Sequence, residues 1–218
     1  MACGARWSKI FGKTSSPPLH DFTSEDPELK KVVEILEAKG DTAKPVFTVL
    51  MAFKTELAKW LENIPFDLTI VQGNPVVYKI VRNRCKTADY VTVTVHSTHE
   101  FAAKSVTVYG SKSSVARLQG QTATAKEQER EVCEQLYNSF VDLAAQWGGQ
   151  DAPHWGPYLH RWGAAFSPSS LEQIPVINDL GLSICGDFIG TSAGSVQGAA
   201  ISGYEVATQA LERHFKQS

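Results

Sequence analysis

The chain has 218 residues, 43% apolar and 20% charged, with a net charge of −2. That is enough to bury one sizeable core, or one domain with an appendage, and the charge offers no electrostatic reason to bind nucleic acid. No apolar run approaches the roughly twenty residues that a membrane span needs. Four scattered cysteines without a C-x-x-C pair, and no secretory leader, point to reduced thiols and a cytoplasmic protein.

Residues 1–24 differ from the rest. Arg6, Lys9 and Lys13 precede any acidic residue, and Ser15-Ser16-Pro17-Pro18 breaks the segment off. A basic, acid-poor start is the composition of an organellar transit peptide; a disordered start, or a start codon placed inside a longer frame, explains it equally well. Ala2 in place of glycine excludes N-myristoylation.

Residues 25–166 read as a sheet with helices. The spacing of Leu29, Val32, Val33 and Leu36 predicts an amphipathic helix over residues 26–38, capped by Ser24 or Asp26 and ended by Gly40. Residues 45–53 form a strongly apolar strand, central in a sheet. Residues 56–62 make a short helical turn stopped by Pro65. Strands are expected at 66–71 and 76–81, around a Gly73-Asn74-Pro75 turn. Residues 90–96 alternate Val91, Val93 and Val95 with Thr92, Thr94 and His96, the pattern of a half-buried strand. Thr98 caps a short helix over 100–105, and 110–124 is a polar loop. The longest helix is expected over 126–147, with Cys133, Leu136, Tyr137, Phe140, Ala144 and Trp147 on one face and Gly148-Gly149 as its stop. A strand follows over 155–166. Consecutive strands with short connections imply a mixed α+β fold: a largely antiparallel sheet covered by helices.

Residues 167–218 close the chain with a strand–helix unit. Leu182 to Gly186 is short and apolar, the pattern of a strand buried on both faces. Asp187 falls at its carboxyl end, where ligands of α/β sheets gather, and an ionised carboxylate accepts hydrogen bonds from hydroxyls. Gly186 leaves room for a close backbone approach. A helix beginning near Ser195 repeats Ala199, Gly203 and Ala207 on one face, which predicts tight packing there. Its first N–H groups, from Val196 to Ala199, lack intrahelical partners and carry the positive end of the helix dipole. Glycine–aspartate turns and small-residue helices are also ordinary core structure.

Four segments together resemble the renalase-type FAD-dependent oxidoreductases of the amine oxidase superfamily. They are Ala43 to Met51; the run from Val77 to Lys86 followed by Val91 to Ser97; His160-Arg161-Trp162-Gly163-Ala164-Ala165-Phe166; and Cys185-Gly186-Asp187 followed by Gln197-Gly198-Ala199. The resemblance runs from about residue 43 to the end and implies a substrate domain plus the last strand and helix of an FAD-binding domain. The G-x-G-x-x-G phosphate-binding turn of such enzymes occurs nowhere in these residues, so the resemblance is to the C-terminal part alone. It implies that Gly186 and Asp187 meet the ribityl or phosphate region of FAD, and that Gln197, Gly198 and Ala199 lie at the flavin pyrimidine edge. Gln197 stands where the family pattern carries an acidic residue. The implied chemistry is hydride transfer from an amine or dihydropyridine-like small molecule to the flavin, with the cofactor carrying the reaction. No side chain is assigned as catalytic, and FAD binding by this chain alone is expected to be weak or absent.

His96 and His99 straddle a strand end without a third ligand, so no metal site is expected. Alternation places His160 and Trp162 on one side of their strand and Arg161 on the other, either lining a pocket or serving the core or an ion pair. Trp147, Trp155 and Phe166 are expected in the core. The expected partners are a small-molecule substrate and either a second copy or a complementary N-terminal half. The competing reading is a non-catalytic protein-interaction domain that kept this scaffold and lost FAD.

Overall fold

The computed structural model describes residues 26–84, 89–105, 108, 126–149, 151–166, 170–172, 176–177 and 181–217. The basic N-terminal segment, the 110–124 loop, Cys3 and Cys85 lie outside these residues. Among the described residues the fold is mixed α+β, with a five-stranded antiparallel sheet and four α-helices. The chain divides into two compact units.

The larger unit runs from Pro45 to Gly163. Strand β1 (Lys44–Lys54) is its spine, with Phe47, Val49, Met51 and Phe53 no more than 2% exposed. Alternate residues of this strand enter the core, as a period of two requires. β2 (Leu68–Ile70), β3 (Val77–Arg84) and β4 (Tyr90–Ser97) precede it in the sheet, which runs β2-β3-β4-β1-β5, with β5 (Trp155–Phe166) on the far side of β1. β1 and β4 pair antiparallel with Thr48 opposite His96 and Met51 opposite Val93. Val93 and Val95 are buried, so the valine–threonine alternation assigns the faces of β4 correctly. Ser97 pins the end of this pair, its hydroxyl accepting the Phe47 N–H at 3.0 Å.

Two α-helices among the described residues lie in this unit. In α2 (His99–Lys104) Thr98 is the N-cap, its hydroxyl accepting the Phe101 N–H at 3.1 Å. α3 (Lys126–Ala144) lies against β3 and β4 and buries Val132, Cys133, Leu136, Phe140 and Ala144. It tightens into a 3-10 turn (Ala145–Trp147) and stops at Gly148, whose φ of +83° is left-handed. Trp60, on a 3-10 turn (Lys59–Asn63) where a helical turn is expected, packs between Phe53 and Phe140 with ring centres 5.7 and 6.4 Å away.

Arg82 is buried on β3, where alternation alone would not warn of a charge. Its guanidinium donates to both Asp67 Oδ1, at 2.9 and 3.1 Å, and the Leu61 carbonyl. The burial is tolerated because these partners replace water. His96, half-buried, is pushed down to about 4, first by loss of hydration and second by the Lys79 ammonium on the neighbouring strand. Burial, with Glu129 and Glu134 nearby, pushes the Cys133 thiol up to about 11, so it is an inert core thiol.

The smaller unit gathers α1 (Pro27–Thr42) with the chain from Ala164 onward. Asp26 caps α1 by accepting the Glu28 and Leu29 N–H groups at 2.8 and 3.0 Å. The helix runs through Gly40 to Thr42, beyond the expected stop. Leu29, Val32, Val33 and Leu36 are buried as the spacing predicts, against Phe188 and Ile189. α1 was expected with the sheet; its apolar stripe is instead buried on the C-terminal segment. The expected strand over 182–186 is only β7 (Leu182–Ser183), paired antiparallel with β6 (Val176–Ile177) in a two-stranded ribbon. Leu182 and Ile184 are half-buried against the α1 cluster and Cys185 is exposed, so the strand is not covered on both faces. The closing helix, α4 (Val196–Gln217), starts as predicted. No helix among the described residues is long and apolar enough to cross a membrane.

Candidate cofactor site at the start of the C-terminal helix

All five residues assigned to FAD lie in the smaller unit, on the turn after β7 and the first turn of α4. Ser202 joins these two elements. It is 2% exposed, accepts the Gly186 N–H at 3.0 Å and lies 3.0 Å from both the Gly186 and Ala199 carbonyl oxygens. Its single proton serves one of those carbonyls at a time. Asp187 is half-buried, and its backbone carbonyl accepts the Gly194 N–H at 2.5 Å. Leu171 runs alongside, donating to the Phe188 carbonyl and accepting from the Gly190 N–H, each at 2.8 Å.

Both glycines face the chain's own atoms. A Cβ on Gly186 would lie 2.5 Å from Cε1 of Phe188, a ring held in the core at 7% exposure. A Cβ on Gly198 would collide with the Ser192 carbonyl, its carbon only 2.7 Å away. Ser195 is the N-cap: Oγ accepts the Gly198 N–H at 2.9 Å and donates to the Ser192 carbonyl at 2.6 Å. The Ala199 N–H reaches the Ser195 carbonyl at 3.1 Å. Two of the four N–H groups expected to be open at this terminus are therefore bonded within the chain.

Beside this start lies an open groove of about 520 Å³. Its walls include Glu172, Thr191, Ser192, Ile201, Glu205 and Gln209, with Gly198 on its floor. Gly198 is the one residue of the five that lines it. Gln197 is exposed, and Ala199 is half-buried. Two carboxylates on the walls and a carbonyl at Gly198 present negative charge where a flavin edge or phosphate would come. The residues in this arrangement do not fit FAD.

The small-residue face of α4 also differs from expectation. Gly203 has no atom within 4 Å of where a Cβ would stand, and Ala207 is exposed. The buried contacts come from Gly198 and Ser202, about 40° around the helix from one another. A Ser three residues before Gly198 is a readable N-cap signal, whereas nothing in the sequence distinguishes Ser202 from an ordinary helix serine.

In the larger unit His160 and Trp162 are exposed on one side of β5 with rings 4.8 Å apart, and Arg161 is half-buried on the other. Trp155 is 53% exposed and stacks on Tyr158 at 5.9 Å, so it is a surface residue where a core one was expected. His99 Nδ1 lies 3.1 Å from the Pro45 carbonyl. Among the described residues no three His, Cys, Asp or Glu side chains come together in a way that could hold a metal ion. No protein-family model matches the chain, and no curated protein matches it.

Proposed function

We propose that this chain is the substrate domain and closing strand–helix portion of a flavin-dependent oxidoreductase of the renalase and amine oxidase type. In this reading it works with a complementary dinucleotide-binding half and binds FAD weakly or not at all by itself. The reading starts from the order of the four resembling segments. The observation that carries it further is the outward face of α4.

That face is apolar opposite the side that packs on the smaller unit. Tyr204, Leu211 and Phe215 are 74, 57 and 74% exposed, and at 100° per residue they fall within about 40° of one another, on the side of the helix away from Gly198 and Ser202. A helix apolar on two opposite faces is normally buried between two layers. A dinucleotide-binding sheet would supply the second layer, together with the glycine-loop N–H groups that hold a pyrophosphate. The bound flavin would supply the hydride chemistry; this chain would bind and orient the amine or dihydropyridine-like substrate.

The closed glycine positions favour a second reading, a non-catalytic interaction domain that uses the same apolar stripe. One experiment separates the two. FAD is titrated calorimetrically into the chain alone, then into the chain mixed with a separately made dinucleotide-binding half from a related flavoenzyme. The flavoenzyme reading expects no sub-micromolar binding by the chain alone and a yellow, flavin-bound mixture, which Leu211→Glu abolishes. A mixture that stays colourless, with the chain a well-behaved monomer, refutes it in favour of the interaction domain.

A further inference from the structure

We propose that the void beneath β2 is a binding site for a single water molecule, which joins the Thr69 hydroxyl to the Arg82 guanidinium and holds this edge of the sheet on the core. The site lies wholly in the larger unit and does not depend on the flavoenzyme reading.

The donors of Arg82 point to it first. A guanidinium carries about five N–H groups. Arg82, its side chain 3% exposed, directs its Nε and one Nη2 N–H to Asp67 Oδ1 and one Nη1 N–H to the Leu61 carbonyl. The remaining N–H on each terminal nitrogen has no acceptor among the described residues. Thr69 is the second sign, because its Oγ1 is buried and has no hydrogen-bond partner among the described residues. Leu68 and Ile70 are 56 and 46% exposed, so Thr69 is the side chain that β2 turns inward. It pairs with Ile80, two positions from Arg82 on the same face of β3, which sets the two polar groups diagonally across the strand pair. The third sign is the space they share. Thr69 and Arg82 line a void of about 10 Å³ whose walls include the apolar side chains of Ile80, Val93, Phe140 and Trp147. That is about the volume that one water molecule needs, and too little for an organic ligand. A water there accepts from Arg82 and donates to Thr69, within the two to four bonds typical of buried water. It satisfies groups whose burial would otherwise be costly. A dry void would favour valine, which has threonine's shape; the hydroxyl gains only if something in the void bonds to it.

The test compares the full chain with its Thr69→Val and Thr69→Ser variants. Relaxation dispersion of water oxygen-17 counts long-lived internal waters as whole molecules, so exchanging protons do not enter the count. Hydrogen exchange at the Arg82 amide reads the hold on this edge, because that N–H bonds the Asp67 carbonyl at 2.7 Å. Thr69→Val should lose one long-lived water and exchange the Arg82 amide about five-fold faster, the effect of one lost hydrogen bond. Thr69→Ser keeps the hydroxyl and should keep the water. A water count unchanged by Thr69→Val overturns the site, as does a count lowered in Thr69→Ser. Arg82 amide exchange that stays equal or slows in Thr69→Val also overturns it, because taking a hydroxyl out of a dry void relieves a buried polar group.

Discussion

Ser202→Ala tests the contact that joins the β7 turn to α4. The substitution deletes one buried hydroxyl and leaves the Gly186 N–H without the acceptor it has at 3.0 Å. An amide stripped of its partner in a buried site costs about 1–3 kcal/mol, and the lower half of that range applies because Gly186 is half-buried and water can reach it. Alanine returns about 0.5 kcal/mol through its better helix propensity. The net loss is about 1 kcal/mol, or roughly five-fold in the local opening equilibrium. Since the chain forms two compact units, a single unfolding midpoint would mix their transitions. Hydrogen exchange at the Gly186 amide isolates the event. It should accelerate roughly five-fold in Ser202→Ala and stay unchanged in Thr208→Ala, whose hydroxyl bonds the Tyr204 carbonyl at an exposed position. Equal protection of Gly186 in wild type and Ser202→Ala would refute the argument, because the turn would then be held by something other than this serine.

Three further outcomes follow from the same geometry. Gly203→Ala should stabilise α4 by about 0.5–1 kcal/mol, because a Cβ there meets open space and the gain is one of helix propensity; a lowered urea midpoint for the smaller unit would restore the tight small-residue packing that the sequence suggests. Gly186→Ala should cost about 1–3 kcal/mol through overpacking against the Phe188 ring, read as loss of protection across residues 186–190, and wild-type protection there would contradict it. Below pH 6.5 the unfolded chain protonates at His96 while the folded chain resists until about pH 4. The unfolded state binds the extra proton across that window, so stability falls as pH falls from 6.5 to 4. His96→Gln should flatten that part of the urea-midpoint profile, and an unchanged slope would show that His96 titrates normally.

Legibility in the sequence followed the local or non-local character of each feature. Period-two alternation placed β4 and an unbroken apolar run placed β1, because both patterns depend on a strand's own residues. Period 3.6 placed α1 and α3, and the capping residues Asp26 and Thr98 stand at the expected starts of α1 and α2. Gly40 failed as a stop because the sequence alone does not show where α1 loses its tertiary support.

What needed the tertiary structure was every property set by a distant neighbour. The run 182–186 is apolar enough for a buried strand, yet strand burial requires partners on both sides, and among the described residues it pairs with β6 alone. Trp155 carries a core composition but stands on the last strand of the sheet order, where it stacks on Tyr158 in solvent. Arg82 looks like a surface charge until Asp67 and the Leu61 carbonyl close around it. At the candidate site the sequence alone placed glycine at 186 and 198, the two positions of close approach. What approaches them, the Phe188 ring and the Ser192 carbonyl, was decided by the fold, because a missing Cβ specifies an empty volume and leaves its occupant to the rest of the chain.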